Sequence, residues 1–359
     1  MKFTKQKFIS LFLTLTLVIL PTQVFAAKTK VHHRVTSISK SAVNKTSRIK
    51  VSAKQRVKSN NRTNKMRVSL RKQSSIKTHS FSRIQTFDHL ASDGLLQLAS
   101  LKALIVNQDT GETIYAKGTN IPTPIASVTK LMTAMVMLDA KLPMTEILTV
   151  SDDDVDYLKG SSSKLPIGTR LSRIEMLQLA LMASENRAAS ALGRNYPGGK
   201  EMFVRMMNAK ALELGMASSH FADPTGLDSG NVSTAEDLVH MVKAAYQYID
   251  IRRVTTTANY DVYIGNRNYP TNFHNTNGLV REGNWEIGLS KTGYISEAGR
   301  CLVMQAMIAG QPMIIVLLDS NGKMTRIGDA NRVRRWIEAN PTPKETVTGE
   351  LMITKKISG

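Results

Sequence analysis

The chain has 359 residues, 48 Lys and Arg against 28 Asp and Glu, a formal net charge of +20 and one cysteine. A single cysteine excludes a framework of intramolecular disulfides. The charge excess sits at one end: residues 1–87 hold 20 basic residues and no acidic one, while the remaining 28 basic and 28 acidic residues balance from Asp88 onward.

Met1 to Lys7 is basic, Phe8 to Leu20 apolar, and Val24-Phe25-Ala26-Ala27 ends in small residues. This is the pattern of a secretory signal peptide, here spanning 1–26 and cut after Ala26. An apolar run of 13 residues interrupted by Ser10, Thr14 and Thr16 falls short of the roughly 20 needed to span a bilayer. The sequence therefore predicts an exported protein with no transmembrane anchor after processing. The only cysteine, Cys301, lies in the apolar run Cys301-Leu302-Val303-Met304, where it reads as a small buried hydrophobe.

Residues 27–86 are rich in Lys, Arg, Ser, Thr and Asn, and high charge with little to bury predicts disorder. A nucleic-acid partner would need aromatics interleaved with the basic residues, and Phe81 is the only aromatic there. The segment reads instead as a solvated linker, or as a weak electrostatic hold on anionic envelope polymers. Residues 87–340 have the balanced composition of one domain with a sizeable core, and 341–359 form a polar C-terminal tail.

Within that domain Leu101 to Gln108 and Glu112 to Lys117 flank the turn Asp109-Thr110-Gly111 and predict a hairpin. A helix begins near Ser127, runs to about Asp139, and is apolar nearly all round, so it belongs in the interior. The run Asp152 to Asp156 lacks the Gly and Glu of a calcium loop, and no metal or cofactor is expected. Ser172 and Glu175 form a capping box that opens a helix to Met182. Ser184-Glu185-Asn186 breaks that helix before another starts at Ala188. Further helices span Gly199 to Leu214, ended by Gly215, and Ser233 to about Tyr248. Asp261 to Tyr269 and Trp285 to Gly293 follow; Leu302 to Ala309 and Met313 to Leu318 are strand-like, and Arg326 to Ala339 is a closing helix. Strands at both ends with helices between predict an α+β fold: an antiparallel sheet built from the two chain ends, flanked by helices and carrying a central helical lobe.

Three short motifs carry chemistry. In Ser127-Val128-Thr129-Lys130 the serine and lysine lie one helical turn apart, within reach of each other. A lysine kept neutral by burial and by a second cation can then act as a base on the hydroxyl. The spacing alone proves little, since Ser-x-x-Lys recurs at Ser37, Ser47, Ser69, Ser74, Ser161 and Ser320. Only at Ser127 does a long apolar helix follow. Ser184-x-Asn186 lies at a helix break, and Ser-x-Asn recurs at Ser59 and Ser229. Lys291-Thr292-Gly293 occurs once and follows an apolar strand, where its glycine lets a substrate approach the backbone. Lys291 would be the second cation. His220, His240 and His274 sit in neither a nucleophile elbow nor a metal spacing and read as packing or surface residues.

Taken together and in this order, Ser127, Ser184 and Lys291 resemble the signatures of the penicilloyl-serine transferases, the penicillin-binding proteins and serine β-lactamases. Pro124 to Leu138, Leu181 to Ala189, Asp223 to Leu227 and Asn275 to Val303 are similar to the low-molecular-mass D-alanyl-D-alanine peptidases, specifically the endopeptidase branch known as penicillin-binding protein seven. The resemblance implies a β-lactamase/transpeptidase-like fold and an exported, periplasmic enzyme. Its substrate would be peptidoglycan peptide cross-bridges, with β-lactams as covalent inhibitors. It implies Ser127 as nucleophile, Lys130 as its base, and Ser184 with Asn186 as proton relay and peptide clamp. Lys291, Thr292, Gly293 and Tyr294 would bind substrate, the backbone N–H groups of Ser127 and Tyr294 forming an oxyanion hole. The glutamate that activates water in class A β-lactamases has no counterpart between Asn186 and Lys291. Where carboxypeptidase relatives often carry an arginine, this chain has Thr276, which favours an internal cross-link as substrate. The β-rich C-terminal domain and amphipathic anchor of those relatives find no match in the polar residues after Ala339. A D,D-carboxypeptidase or slow β-lactamase on the same fold, or an envelope-binding protein acting through its basic tail, are the alternatives.

Overall fold

The structure, a computed structural model, describes residues 95–265 and 268–340. The expected signal peptide, basic tail and C-terminal tail lie outside the described residues.

Two adjacent strands, β1 (Lys102–Asn107) and β2 (Thr113–Lys117), form the expected hairpin. Next come a two-residue strand β3 (Thr123–Pro124), a 3-10 turn at Ala126–Thr129 and helix α1 (Lys130–Asp139). The helix expected to open at Ser127 thus opens at Lys130, because Ala126 takes a positive φ of 49° and the chain enters through a tighter turn. A small ribbon, β4 (Ile147–Thr149) with β5 (Arg170–Ser172), leads into α2 (Arg173–Met182). There the capping box of Ser172 and Glu175 is present as expected. Helix α3 (Asn186–Arg194) starts two residues before the expected Ala188. Helix α4 (Gly199–Glu213) ends before Gly215, whose φ of 74° needs a residue without a Cβ.

Strand β6 (Val232–Ser233) pairs with β3, and Thr234 caps α5 (Ala235–Ala245) by accepting from Asp237 N at 3.1 Å. The expected helix to Tyr248 stops at Ala245. Tyr248 O–H reaches across to Asp139 Oδ1 at 2.7 Å, and a separate helix α6 (Ile249–Thr255) follows. Then come the hairpin β7 (Asn259–Val262) and β8 (Thr271–His274), a short α7 (Gly278–Glu282), the long strands β9 (Glu286–Ile295), β10 (Gly299–Ile308) and β11 (Gln311–Ser320), and α8 (Thr325–Ala339).

The main sheet has the order β2-β1-β11-β10-β9, antiparallel throughout, so the two ends of the domain build one sheet as expected. The middle of its central strand β11, Met313 to Leu318, is apolar at every position because both faces are covered. Ile314, Val316 and Leu318 of β11 face the core shared with α1, while Met313, Ile315 and Leu317 face the core shared with Val333 and Ile337 of α8. No described helix is long and apolar enough to cross a membrane.

Cys301 on β10 is fully buried, and burial pushes its thiol up to about 11. The native protein should therefore resist alkylation at pH 8 and react fully in denaturant, as mass spectrometry of iodoacetamide-treated samples would read.

Candidate active site

The chain meets at Ser127 from three directions. Pairing of β3 with β6 and the bond from Ile125 N to Asn231 O (3.0 Å) fix the approach to the turn that carries the serine. From below, Gly226 sits at φ 81°, where an added Cβ would lie 2.0 Å from Ala126 O. From the side, β9 passes so close that a Cβ on Gly293 would stand 2.8 Å from Ile125 O and 3.0 Å from Ser127 N. Both glycines are required by close backbone approach.

Lys130, the first residue of α1, has no exposed surface. Its Nζ lies 2.8 Å from Ser127 Oγ, 2.7 Å from Asn186 Oδ1 and 2.6 Å from the Thr225 carbonyl. Burial lowers its pKa to about 7, against the opposing pull of Asp223 and Glu185. In the neutral amine two hydrogens remain. An amide oxygen and a backbone carbonyl can only accept, so these two take both hydrogens and the lone pair is left to the Ser127 hydroxyl. That is the arrangement of a base aimed at a nucleophile.

Ser184 occupies the break between α2 and α3 with φ 61°, a left-handed conformation uncommon for serine. Its Oγ accepts from Lys291 Nζ at 2.9 Å, and the same amine donates to the Thr292 carbonyl at 2.9 Å. Thr292 Oγ1 donates to Thr276 Oγ1 at 2.6 Å. Tyr294 is exposed at the rim, its ring 4.4 Å from the Arg300 guanidinium. Ser127, Ser184, Asn186, Thr292, Gly293 and Tyr294 line one cleft of about 270 Å³, with Lys130 and Lys291 behind it. All eight sequence-derived site residues are brought together.

Of the two causes expected to keep Lys130 neutral, burial is the principal one, and the repulsion between Lys130 and Lys291 is felt at Lys291. Lys291 is itself held well below the ordinary lysine range by burial, then by the charges of Lys130 and Arg326. Two amines enclosed in one site cannot both stay charged cheaply.

Several contributors had no signal in the sequence. Arg326 on α8 lines the cleft while nearly buried, and its Nε and Nη1 have no partner. Ser161, one of the other Ser-x-x-Lys matches, also lines it and accepts from Asn186 Nδ2 at 2.9 Å. The lysine of that tetrapeptide, Lys164, instead donates to the Asn272 carbonyl. Asp223 does leave a trace in the sequence, the turn Asp223-Pro224-Thr225-Gly226. Its carboxylate accepts from the N–H groups of Thr225 (2.8 Å), Gly226 (2.6 Å) and Asp228 (3.0 Å), which holds the Thr225 carbonyl against Lys130. The acidic run once compared with a calcium loop is a capped 3-10 turn whose Asp154 pairs with Arg194 at 2.8 Å.

Residues 88–322 match the family model described as D-alanyl-D-alanine carboxypeptidase, peptidase family S11. The chain is 47% identical over 242 residues to a D-alanyl-D-alanine endopeptidase of Pseudomonas aeruginosa, covering 67% of this chain and 78% of that protein. It is 46% identical, with the same coverage, to a D-alanyl-D-alanine endopeptidase of Escherichia coli. The crystal structure of the Streptomyces K15 DD-transpeptidase superposes with a TM-score of 0.63 at 28% identity, over 68% of this chain and 98% of that one. With its serine, lysine and glycine motifs gathered in one cleft, this chain belongs to the S11 family of serine D-alanyl-D-alanine peptidases.

Proposed function

We propose that this protein is an exported, periplasmic serine D,D-peptidase that hydrolyses D-alanyl cross-links in peptidoglycan and is acylated by β-lactams. The observation that carries this reading is the buried Lys130 amine, 2.8 Å from Ser127 Oγ with its other two contacts on acceptors. Lys130 takes the proton as Ser127 Oγ bonds to the D-alanyl carbonyl carbon. Negative charge on the carbonyl oxygen is met by the N–H groups of Ser127 and Tyr294. Ser184, bonded to Lys291, gives its proton to the leaving amine and takes the one held by Lys130, so the peptide C–N bond breaks and Lys130 is neutral again. Water then attacks the ester, giving up a proton to Lys130, which returns it to Ser127 Oγ as the ester C–O bond breaks. Asn186 would hold the substrate's peptide group, and Lys291 with Thr292 its far end.

The named activities of the P. aeruginosa and E. coli relatives favour the endopeptidase. One feature favours a carboxypeptidase component: Arg326 lines the cleft with its Nε and Nη1 unpartnered, and a free terminal carboxylate is a group its guanidinium would grip in a charge-assisted bond. Chromatography of digested muropeptides separates the two. The expected result is loss of cross-linked dimers, absent with Ser127→Ala. Release of D-alanine from pentapeptide monomers with dimers untouched would assign the carboxypeptidase instead.

A further inference from the structure

The loop between the 3-10 turn Asp152–Asp154 and β5 crosses the mouth of the cleft and is tied down on both sides. Asp156 organises it, its carboxylate accepting from Leu158 N and Lys159 N at 2.9 Å and from Ser161 N at 2.8 Å. On the helical side Ser163 Oγ donates to Glu185 Oε2 at 2.6 Å. On the sheet side Lys159 forms an ion pair with Glu297 in the turn between β9 and β10. Ser161 hangs from this strap into the cleft, 2.9 Å from Asn186 Nδ2.

The polarity of these contacts runs one way. Burial raises the Asp156 acid, but the hydrogen bond from the Ser161 side chain and those from the loop N–H groups outweigh it, so the carboxylate stays ionised. It holds the Ser161 backbone in place by accepting from the Ser161 N–H at 2.8 Å, and Ser161 Oγ in turn accepts from Asn186 Nδ2 at 2.9 Å. Asn186 gives its NH2 group to Ser161, which turns its oxygen to Lys130 at 2.7 Å. The reversed amide would give up the bond from Lys130 to the Asn186 oxygen and set the NH2 group against that amine. The orientation that aims the Lys130 lone pair at Ser127 is thus shared between Lys130 and Ser161, the latter carried on a strap outside the three motifs and anchored through its backbone by Asp156.

We propose that Ser161 is a positioning residue of the active site, which sets the Asn186 carboxamide, and through it the Lys130 amine, and is held in place by the Lys159–Glu297 latch. The orientation also leaves the second Asn186 amide hydrogen for a carbonyl oxygen of the substrate. This inference rests on Ser127 being the acylated nucleophile.

The test measures the rate of acylation by a fluorescent penicillin, with melting temperature alongside, on the purified full-length protein. Ser161→Ala is expected to acylate about 10- to 100-fold more slowly, the scale of a misplaced reacting group, with its melting temperature unchanged. Ser161→Thr, which keeps the hydroxyl, is expected to recover most of the rate. Lys159→Glu should slow acylation by up to about fivefold, since the latch is partly exposed and weak, and the swap Lys159→Glu with Glu297→Lys should restore it. Wild-type rates in Ser161→Ala, or equal slowing in Ser161→Ala and Ser161→Thr, would overturn the proposal. Should Ser161→Ala not fold, the surface pair decides: no slowing in Lys159→Glu, or no restoration by the swap, overturns it. Ser127→Ala in the same assay keeps the two claims apart. Labelling that persists there refutes the nucleophile assignment, whereas lost labelling with an unaffected Ser161→Ala refutes only the role of Ser161.

Discussion

Replacing Lys130 with methionine is expected to slow acylation of Ser127 by about 10²- to 10⁴-fold, the range a positioned general base contributes. Methionine fills much of the same buried space but leaves Asn186 Oδ1 and the Thr225 carbonyl facing a side chain that cannot donate. Lys130→Arg is the sharper variant. It keeps a cation but stays protonated, so it should be as inactive as methionine if the lysine works as a base, and substantially active if it works only as a charge. The pH profile follows with a definite sign. The neutral amine is the active form, so the acylation rate in wild type should rise with pH and level off above about 7, where burial has placed the Lys130 pKa. At neutral pH an unperturbed lysine would be neutral in about one molecule in 10³ or fewer. Burial therefore supplies about three orders of magnitude in the competent fraction. Stopped-flow labelling between pH 5 and 9 reads this; a profile still climbing steeply at pH 9 would show that the amine keeps an ordinary pKa and that another group is the base.

Gly226→Ala is expected to cost both activity and stability although Gly226 touches no substrate. Its Cβ would lie 2.0 Å from Ala126 O, 2.4 Å from the Ala126 carbonyl carbon and 2.9 Å from Ser127 N, all rigid backbone, at a φ of 81°. The left-handed conformation costs alanine about 1 kcal/mol, and overpacking adds typically 1–3 kcal/mol. A loss of about 2–4 kcal/mol lowers the melting temperature of a domain this size by roughly 5–15 °C. Relief of the clash moves the turn carrying Ser127, so acylation should fall about 100-fold even at temperatures where the variant is folded. Calorimetry and penicillin labelling together check this. Equal stability with normal labelling would mean that the turn has room that the backbone positions deny.

The features legible in the sequence were those written within a few residues of each other. The capping box at Ser172 and Glu175, the glycine stop at Gly215, the hairpin at Asp109-Thr110-Gly111 and the apolar strands β10 and β11 all appear where local patterning placed them. Those signals are local because the hydrogen bonds that make them run between near neighbours. The boundaries that failed were decided by distant partners. Past the end of α5 at Ala245, Tyr248 is held by Asp139 from α1, and β8 exists only as the partner of β7.

The same division runs through the site. Residue types at characteristic spacings were enough to choose Ser127, Lys130, Ser184, Asn186 and Lys291, and to choose Ser127 over six equivalent tetrapeptides by the apolar helix behind it. Tertiary structure alone decided what those residues are chemically. The pKa of Lys130 is a property of everything packed round it, not of its neighbours in the chain. The cation paired with it in expectation turned out to be a second depressed amine. Arg326 and Ser161 joined the cleft, and the Asp223 carboxylate came to brace the loop behind Lys130, only because a sheet made from both ends of the domain closes over a helical lobe made from its middle. Spacing along a chain can put a serine beside a lysine. Removing water from that lysine takes the whole fold.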